Sequence, residues 1–258
     1  METIKEIWNY RQMIISLVRK DLRGRYKGSV LGFLWTFLNP LLQLIVFTIV
    51  FGLILNNEIE KYYLFLFVGL VPWNFFSSSL VTGSHCIIGE KNMVTKIYFP
   101  REILPIVNTT SGFVNMLLTF IIILVVVIIS GTSINFLALL CLPIVFFLEY
   151  ILVLGFAFLF SSITVYFRDL EYFLGIITMA WMYLTPIVYD VSIIPENILP
   201  IFYANPMTPI VTAYRNILYY GQIPVFSSLI NGTIFSIVIL VAGWLTFQKL
   251  KKRFVEEL

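Results

Sequence analysis

The sequence predicts an all-α membrane protein with six transmembrane helices, an N-terminal amphipathic interface helix, and short re-entrant external helices between spans five and six. Three observations predict it. The 258 residues are 59% hydrophobic and 12% charged, where soluble domains carry roughly 25% charged residues, and the mean hydropathy is +0.93. Lipid is the solvent such a chain requires, and in lipid backbone polar groups are satisfied only inside helices or a closed barrel. The apolar runs are long and unbroken rather than alternating, which selects helices. The third observation is where positive charge falls. Of 17 Lys and Arg, 15 lie in segments 1–29, 83–102, 165–171 and 248–258, and two lie in 56–61, 130–135 and 189–226. Retention of Lys and Arg in the cytoplasm produces this alternation. It predicts six crossings with both termini cytoplasmic. Such a chain moves something across a membrane, signals across one, or works on lipid.

Residues 2–27 read as one amphipathic helix. At about 100° per residue, Ile4, Ile7, Trp8, Ile14, Ile15, Val18 and Leu22 share a face. Lys5, Asn9, Gln12, Ser16, Arg19, Lys20, Arg23 and Lys27 share the other, and Arg11 and Arg25 break the apolar side. A basic amphipathic helix ahead of a first span lies in the headgroup layer. Residues 1–29 thus form one unit and 30–258 the membrane domain. The N-terminus lacks the continuous apolar stretch of a cleavable signal. The expected spans are Val30–Leu55, Tyr62–Thr82, Ile103–Ile129, Ile134–Thr164, Tyr172–Val188 and Ser227–Phe247. About 20 residues suffice to cross, so the fourth is too long to be straight and wholly embedded. Lys249, Lys251, Lys252 and Arg253 anchor the last span on the inside.

Two connections carry more information. In 89–101, Met93, Ile97 and Tyr98 share a face of one short helix that Pro100 stops. Two readings stand: a handle for a soluble partner, or a helix resting on headgroups. The outer segment 190–226 is too apolar for a solvated loop. Ile193, Ile194, Ile198, Leu199, Ile201 and Phe202 precede Asn205-Pro206-Met207-Thr208-Pro209, and Ile210, Val211, Tyr214, Ile217, Leu218 and Tyr219 follow. Neither half spans, so 193–220 is expected to dip into the outer leaflet as two helices broken at Asn-Pro. Irregular backbone at that depth belongs beside protein or a water-filled cavity.

Candidate chemistry is sparse. No G-x-x-x-x-G-K-[ST] and no Asp-rich metal site exists, so no catalytic residue and no metal is expected, and any ATP is bound by another chain. His85 is the only histidine and reads as a hydrogen-bonded interfacial residue. Cys86 and Cys141 read as small apolar residues rather than a disulfide. The sequons at Asn108 and Asn231 fall on cytoplasmic or embedded chain and are discounted. Glu149 is a mid-span carboxylate, either a pathway residue or a hydrogen-bonded structural one. Arg215 stands in the same position, or reaches the outer headgroups. Phe33, Phe37, Leu44, Thr48 and Phe51 form a stripe on span one, and Tyr172, Met179 and Tyr183 one on span five. Such stripes pack against lipid and core, or line a channel with ring faces. Flat aromatic faces suit the C–H faces of sugars, with contacts weak enough for a polymer to slide.

Arg25-Tyr26-Lys27-Gly28-Ser29-Val30-Leu31-Gly32-Phe33-Leu34-Trp35, followed by Pro40-Leu41, resembles the first-span signature of ABC-2 type permeases, closest to those exporting O-antigen and teichoic-acid polysaccharides. Lys96-Ile97-Tyr98-Phe99-Pro100-Arg101-Glu102-Ile103-Leu104-Pro105 looks like that family's coupling segment, and Phe167-Arg168-Asp169-Leu170 like its second cytoplasmic contact. Asn205-Pro206-Met207-Thr208-Pro209 and Tyr214-Arg215 resemble its external gate helices. The resemblance runs in order from about residue 20 to 250, and Glu149 belongs to none of its motifs.

The resemblance implies a homodimer in a bacterial cytoplasmic membrane, with two ABC ATPase subunits that hold the ATP and Mg. No cofactor on this chain and no nucleic acid are implied. A continuous channel between protomers would pass an undecaprenyl-diphosphate-linked polysaccharide. Phe33, Phe37, Phe51, Tyr172, Met179 and Tyr183 would line it. Ile198, Phe202, Pro206, Tyr214 and Arg215 would gate it outside. Arg19, Arg23, Arg25 and Lys27 would frame the place where the anionic lipid headgroup enters. Lys91, Met93, Lys96, Ile97, Tyr98, Phe99, Arg168 and Asp169 would meet the ATPase. The alternatives are an ABC-2 exporter of a small molecule or lipid, which needs a closed cavity, and an ion-coupled secondary transporter, which needs broken spans with midplane ligands. A membrane enzyme on lipid-linked sugars would need clustered carboxylates and histidines that the sequence lacks.

Overall fold

The computed structural model describes residues 2–25, 28–54, 59–132 and 135–258. Tyr26, Lys27, Leu55 and Ile134, used in the sequence reading, lie outside them. All regular structure among the described residues is helical. Five helical stretches are long and apolar enough to cross a membrane: Gly32–Ile54, Tyr62–Gly89, Ile103–Ile129, Phe136–Thr164 and Leu229–Glu257. A shorter apolar helix, Leu170–Tyr183, stands where a sixth span was expected.

The N-terminal segment is two helices, α1 (Glu2–Asn9) and α2 (Arg11–Gly24), rather than one. The break at Tyr10 resets the helical phase. Tyr10, Met13, Ile14, Leu17 and Leu22 then pack around buried Val18 against the protein. Trp8 and Ile15, expected on the same face, are exposed. The first span begins with a turn at Gly32–Leu34, continues as α3 (Trp35–Phe47), and widens to a π-helical stretch at Thr48–Ile54.

α4 (Tyr62–Gly89) runs past the expected end at Thr82. It is the central helix: a continuous run from Leu64 to Trp73 is buried. The next loop forms α5 (Lys91–Lys96), which stops before Ile97, whose backbone is extended (φ −125°, ψ 136°). Phe99 is buried and Pro100 follows it, a pairing that keeps Phe99 out of helix. The predicted shared face of Met93, Ile97 and Tyr98 therefore does not form.

α6 (Ile103–Ile129) has the expected bounds. The fourth span breaks into α7 (Phe136–Leu139) and α8 (Leu142–Thr164), with Pro143 in the first turn of α8. Asn135 caps α7, its side chain accepting from the amides of Leu137 and Ala138. α9 (Leu170–Tyr183) has 14 residues, about 21 Å at 1.5 Å each, which is short of a ~30 Å hydrocarbon core. The expected Tyr172–Val188 helix is cut because Pro186 disfavours helix at Thr185.

The segment between α9 and the last span splits at Asn205-Pro206 into α10 (Leu199–Ala204) and α11 (Met207–Leu218), the break its sequence predicts. α12 (Phe226–Leu250) closes the bundle, and a turn at Lys251–Arg253 leads to α13 (Phe254–Glu257). α12 crosses α8 with backbones nearly touching: a Cβ on Gly243 would lie 2.1 Å from the Gly155 carbonyl oxygen. Small residues permit this close approach within membranes.

The two ends of the bundle hold different chain segments. Tyr62, Glu60, Val188 and Tyr219 meet at one end, through Tyr62 OH to Val188 O at 2.8 Å and Tyr219 OH to Glu60 O. At the other, Lys20 meets Glu90 at 2.9 Å, His85 meets Glu171 at 2.7 Å and Tyr166 OH meets Leu250 O at 2.9 Å. The segments that carry nearly all the Lys and Arg thus share one end, here called the basic end.

Candidate functional site: a polar cleft and the hairpin beyond it

Polar side chains four residues apart recur at mid-helix in three spans. α3 places Asn39 and Gln43 on one side, α4 Asn74 and Ser78, and α6 Asn115 and Thr119. The fold turns all six, with Thr36 and Thr178, into one cleft of about 500 Å³ between α3, α4, α6 and α9. That volume lies within the range of small-ligand sites. Its lining carries one charge, Arg25, which also binds the Asp21 carboxylate at 3.1 Å. Asn74 Nδ2 donates to Gln43 Oε1 at 2.8 Å, which joins α4 to α3. The hydroxyls of Ser78 and Thr119 donate back to their own helices, to Asn74 O at 2.6 Å and Asn115 O at 3.1 Å. Their oxygen lone pairs are still able to accept.

One buried side-chain group there lacks a protein partner. Thr36 is buried with its Oγ1 unpaired. Pro40 has no N–H to give the Thr36 carbonyl. Polar groups inside a membrane are costly and mark pathways when they face a cavity. Amide NH2 groups donate, while amide and hydroxyl oxygens accept. The cleft thus matches a neutral, polyhydroxylated guest rather than an ion.

Beyond the cleft, the hairpin of α10 and α11 is bolted to the bundle. Asn205 is the hub. Its Nδ2 donates to Leu184 O at 3.1 Å and Thr185 Oγ1 at 2.8 Å, and its Oδ1 accepts from Trp181 Nε1 and the Met207 amide, both at 3.0 Å. Arg215, 2% exposed, donates to the carbonyls of Phe65, Pro186 and Ile187, and its guanidinium lies 3.5 Å from the Phe65 ring centroid. It therefore caps backbone groups that the Pro186 break would otherwise leave unpaired. Tyr214 is fully buried and donates to Glu149 Oε2 at 2.6 Å. Glu149 thus accepts a hydrogen bond within the protein interior, and its Oε1 is buried without a partner.

A model of the ABC-2 type transporter family matches residues 12–219. The chain belongs to that family. It is 32% identical over 257 residues to the O-antigen export system permease protein RfbA of Myxococcus xanthus, across 99% of this chain and 98% of that protein. It is 32% identical over 245 residues to the protein of the same description from Klebsiella pneumoniae, across 95% of this chain and 94% of that one. A more distant relative is the polysialic acid transport protein KpsM of Escherichia coli, 24% identical over 234 residues, 88% of this chain and 89% of that protein. As an ABC-2 chain this is a multi-pass membrane subunit, a transport component rather than an enzyme. Among the described residues, no group of three or more His, Cys, Asp or Glu is placed to hold a metal ion.

The residues singled out by sequence divide sharply in this ABC-2 fold. Phe33, 53% exposed, and Tyr172, 75% exposed, stand on the open sides of the first span and α9, with Met179 and Tyr183 also exposed. Phe37 is half-buried and edge-on to Phe33 at 5.4 Å. Phe51 packs against the large core cluster, edge-on to Phe47 at 5.9 Å, so it is partly a core residue.

Of the expected gate residues, Pro206, Tyr214 and Arg215 are buried in the protein. Tyr214 and Arg215 tie the hairpin to the bundle through the contacts just described. Ile198 is exposed, and Phe202 is half-buried against Tyr189 at 6.4 Å. Arg19, Arg23 and Arg25 are exposed at the basic end, and Lys27 lies outside the described residues. Lys91, Lys96, Ile97, Tyr98, Arg168 and Asp169 are exposed there too, and Met93 is half-buried. Phe99 is the exception, buried in the basic-end core beside Val94 and Ile103, so its side chain is not available to a partner.

Asn39, Gln43, Asn74 and Asn115 were not singled out from the sequence. Their spacing, a polar pair four apart in each of three apolar spans, was the available signal.

Proposed function

We propose that this chain is the membrane subunit of an ATP-driven exporter that moves a lipid-linked, O-antigen-type polysaccharide across a bacterial cytoplasmic membrane, as a homodimer with two ATPase subunits. One observation carries the substrate class: the polar cleft lined by Asn39, Gln43, Asn74, Ser78, Asn115 and Thr119. Its donors and acceptors are mostly uncharged amides and hydroxyls, as sugar hydroxyls require, and its one charge, Arg25, is paired with Asp21. The full-length similarity to O-antigen export permeases supports the same class.

The exposed sides of the first span and α9 supply the rest of the route. A second copy apposed on these faces would bring the rings of Phe33, Tyr172 and Tyr183 to the polymer path beside the cleft. The basic end would face the cytoplasm, with Arg19, Arg23 and Arg25 near the diphosphate and Ile97, Tyr98, Arg168 and Asp169 against the ATPase. α9 would complete the sixth crossing with the chain around Pro186, and 193–220 would stay in the outer leaflet.

The test is export by the permease and its co-expressed ATPase in vesicles loaded with lipid-linked glycan. Asn39→Leu combined with Asn115→Leu should cut glycan export while the ATPase still co-purifies. Undiminished export by that variant would remove the cleft from the pathway. Failure of the wild-type chain to retain any ATPase would remove the whole reading.

A further inference from the structure

The family match ends at residue 219, yet residues near the end of the chain hold both loops at the basic end. Glu102, 1% exposed, stands where the loop after α5 enters α6. Its Oε1 accepts from Gln248 Nε2 at 2.7 Å and from Lys251 Nζ. The neighbouring Arg101 donates to the Lys251 carbonyl. The loop before α9 is held to the same turn. Tyr166 OH donates to Leu250 O at 2.9 Å, and its ring lies 6.4 Å from that of Phe254. Phe254 is fully buried in one cluster with Phe99 from the first loop, Val165 from the second, and Phe247 of α12. Two loops far apart in sequence are thus fastened to one tail.

What the tail leaves outside suits a protein partner. Ile97, Tyr98 and Phe167 are exposed, with Lys91, Lys96, Arg168, Lys252 and Arg253 and the acidic Asp169, Glu256 and Glu257 exposed at the same end. Apolar residues rimmed by charges of both signs, with basic ones in excess, complement an apolar groove with a charged rim. A buried carboxylate held by a lysine is also a costly device when half of it is removed. Glu102 has a second oxygen, Oε2, buried and unpaired, so packing alone does not account for it.

We propose that the C-terminal tail, residues 251–258, braces both loops into one platform for the ATPase, with Glu102 as the positioning residue at its latch. This rests on the reading of the basic end as ATPase-facing. The tail continues α12, and α12 crosses α8 at Gly155 and Gly243. A displacement of either loop is thereby delivered to the bundle through a single rigid helix.

The experiment uses the full chain co-expressed with its ATPase and carries Glu102→Lys, Lys251→Glu and the two together. Each single change should leave the permease in the membrane but lower ATP-dependent export about tenfold, equivalent to ~1.4 kcal/mol. The double exchange should restore export, a rescue that a merely structural contact with Gln248 would not give. Tyr166→Phe, which removes one exposed-side hydrogen bond and no packing, reports even where Glu102→Lys fails to fold, and should weaken ATPase retention. Wild-type export and retention in Tyr166→Phe and Lys251→Glu would overturn the brace. A wild-type chain that retains no ATPase would instead overturn the functional reading beneath it.

Discussion

The central helix α4 and the first span are both apolar, yet they are solved in opposite ways. In the most apolar stretch of α4, 78% of residues are buried inside the protein; in Gly32–Ile54 the figure is 6%. α4 packs on α6, α8, α9 and α11, and its buried polar residues are small, Ser79 and Ser84. The first span leaves Val30, Leu34, Leu42, Ile45, Val46, Leu53 and Ile54 exposed, and turns Thr36, Asn39 and Gln43 toward the cleft. α9 resembles the first span, with only Leu174 and Thr178 buried. One region is a scaffold closed by tight helix crossings. The other is a flank with its apolar sides unpartnered and a polar cleft beneath it. Hydropathy alone does not separate them, because lipid, a second protomer and a protein core all accept the same side chains.

Substitutions that act on one region and spare the other sharpen this contrast. The largest effect is expected at the scaffold crossing. Gly243→Leu drives a side chain into the Gly155 backbone, and should cost at least the upper end of the ~1–3 kcal/mol typical of overpacking. Loss of folded protein on size-exclusion in detergent is the readout. Wild-type recovery would mean the helices are further apart than described.

Next comes the Glu149–Tyr214 contact. Tyr214→Phe leaves a second buried carboxyl oxygen unpaired beside Oε1, at a cost of roughly 1–3 kcal/mol. It should lower the thermal midpoint in detergent without changing which subunits co-purify. Glu149→Gln in the Tyr214→Phe background should recover little, since the amide brings its own unmet donors. An unchanged midpoint in Tyr214→Phe would return Glu149 to the list of pathway residues.

On the flank the pattern inverts. Leu at Phe33, Tyr172 and Tyr183 together should move stability by no more than ~0.5 kcal/mol, as for surface positions, while slowing export. A large loss of stability in that variant would show the rings to be packed in the assembled protein rather than open to substrate.

Five of the six expected spans and the end-to-end sorting were legible in the sequence because they depend on local hydropathy and on charge sums, which need no knowledge of contacts. So was the break at Asn205-Pro206, a local property of that dipeptide. The break at Tyr10 was less so, because residues from α6 decide which phase of the helix is buried. Tyr214 and Arg215 were legible as unusual but not as interior. Their partners, Glu149 and the Phe65 carbonyl, lie 65 and 150 positions away. The cleft was half-legible: each polar pair is visible in its own span, but only the fold shows that three spans point them at one volume.

The smallest expected effect is at Asp190, in the chain after α9. Burial opposes its charge, but hydrogen bonds from the Ser192 amide and hydroxyl and from Tyr220, with Arg215 nearby, hold its pKa below the usual value. The stabilisation is therefore present above the unfolded value of ~3.9 and is lost as pH falls through the lower folded value. Asp190→Asn should flatten the acid limb of a stability profile and leave neutral pH nearly unchanged. An identical acid limb would remove Asp190 from the account.

The central claim is that the polar cleft between the flank and the scaffold carries sugar. It is tested most directly by measuring glycan export and ATP hydrolysis side by side for Asn74→Leu with Asn115→Leu, in the permease reconstituted with its ATPase. The account predicts a complex that assembles and hydrolyses ATP, with export reduced about tenfold or more, equivalent to ~1.4 kcal/mol. Export at the wild-type rate from that complex would contradict it.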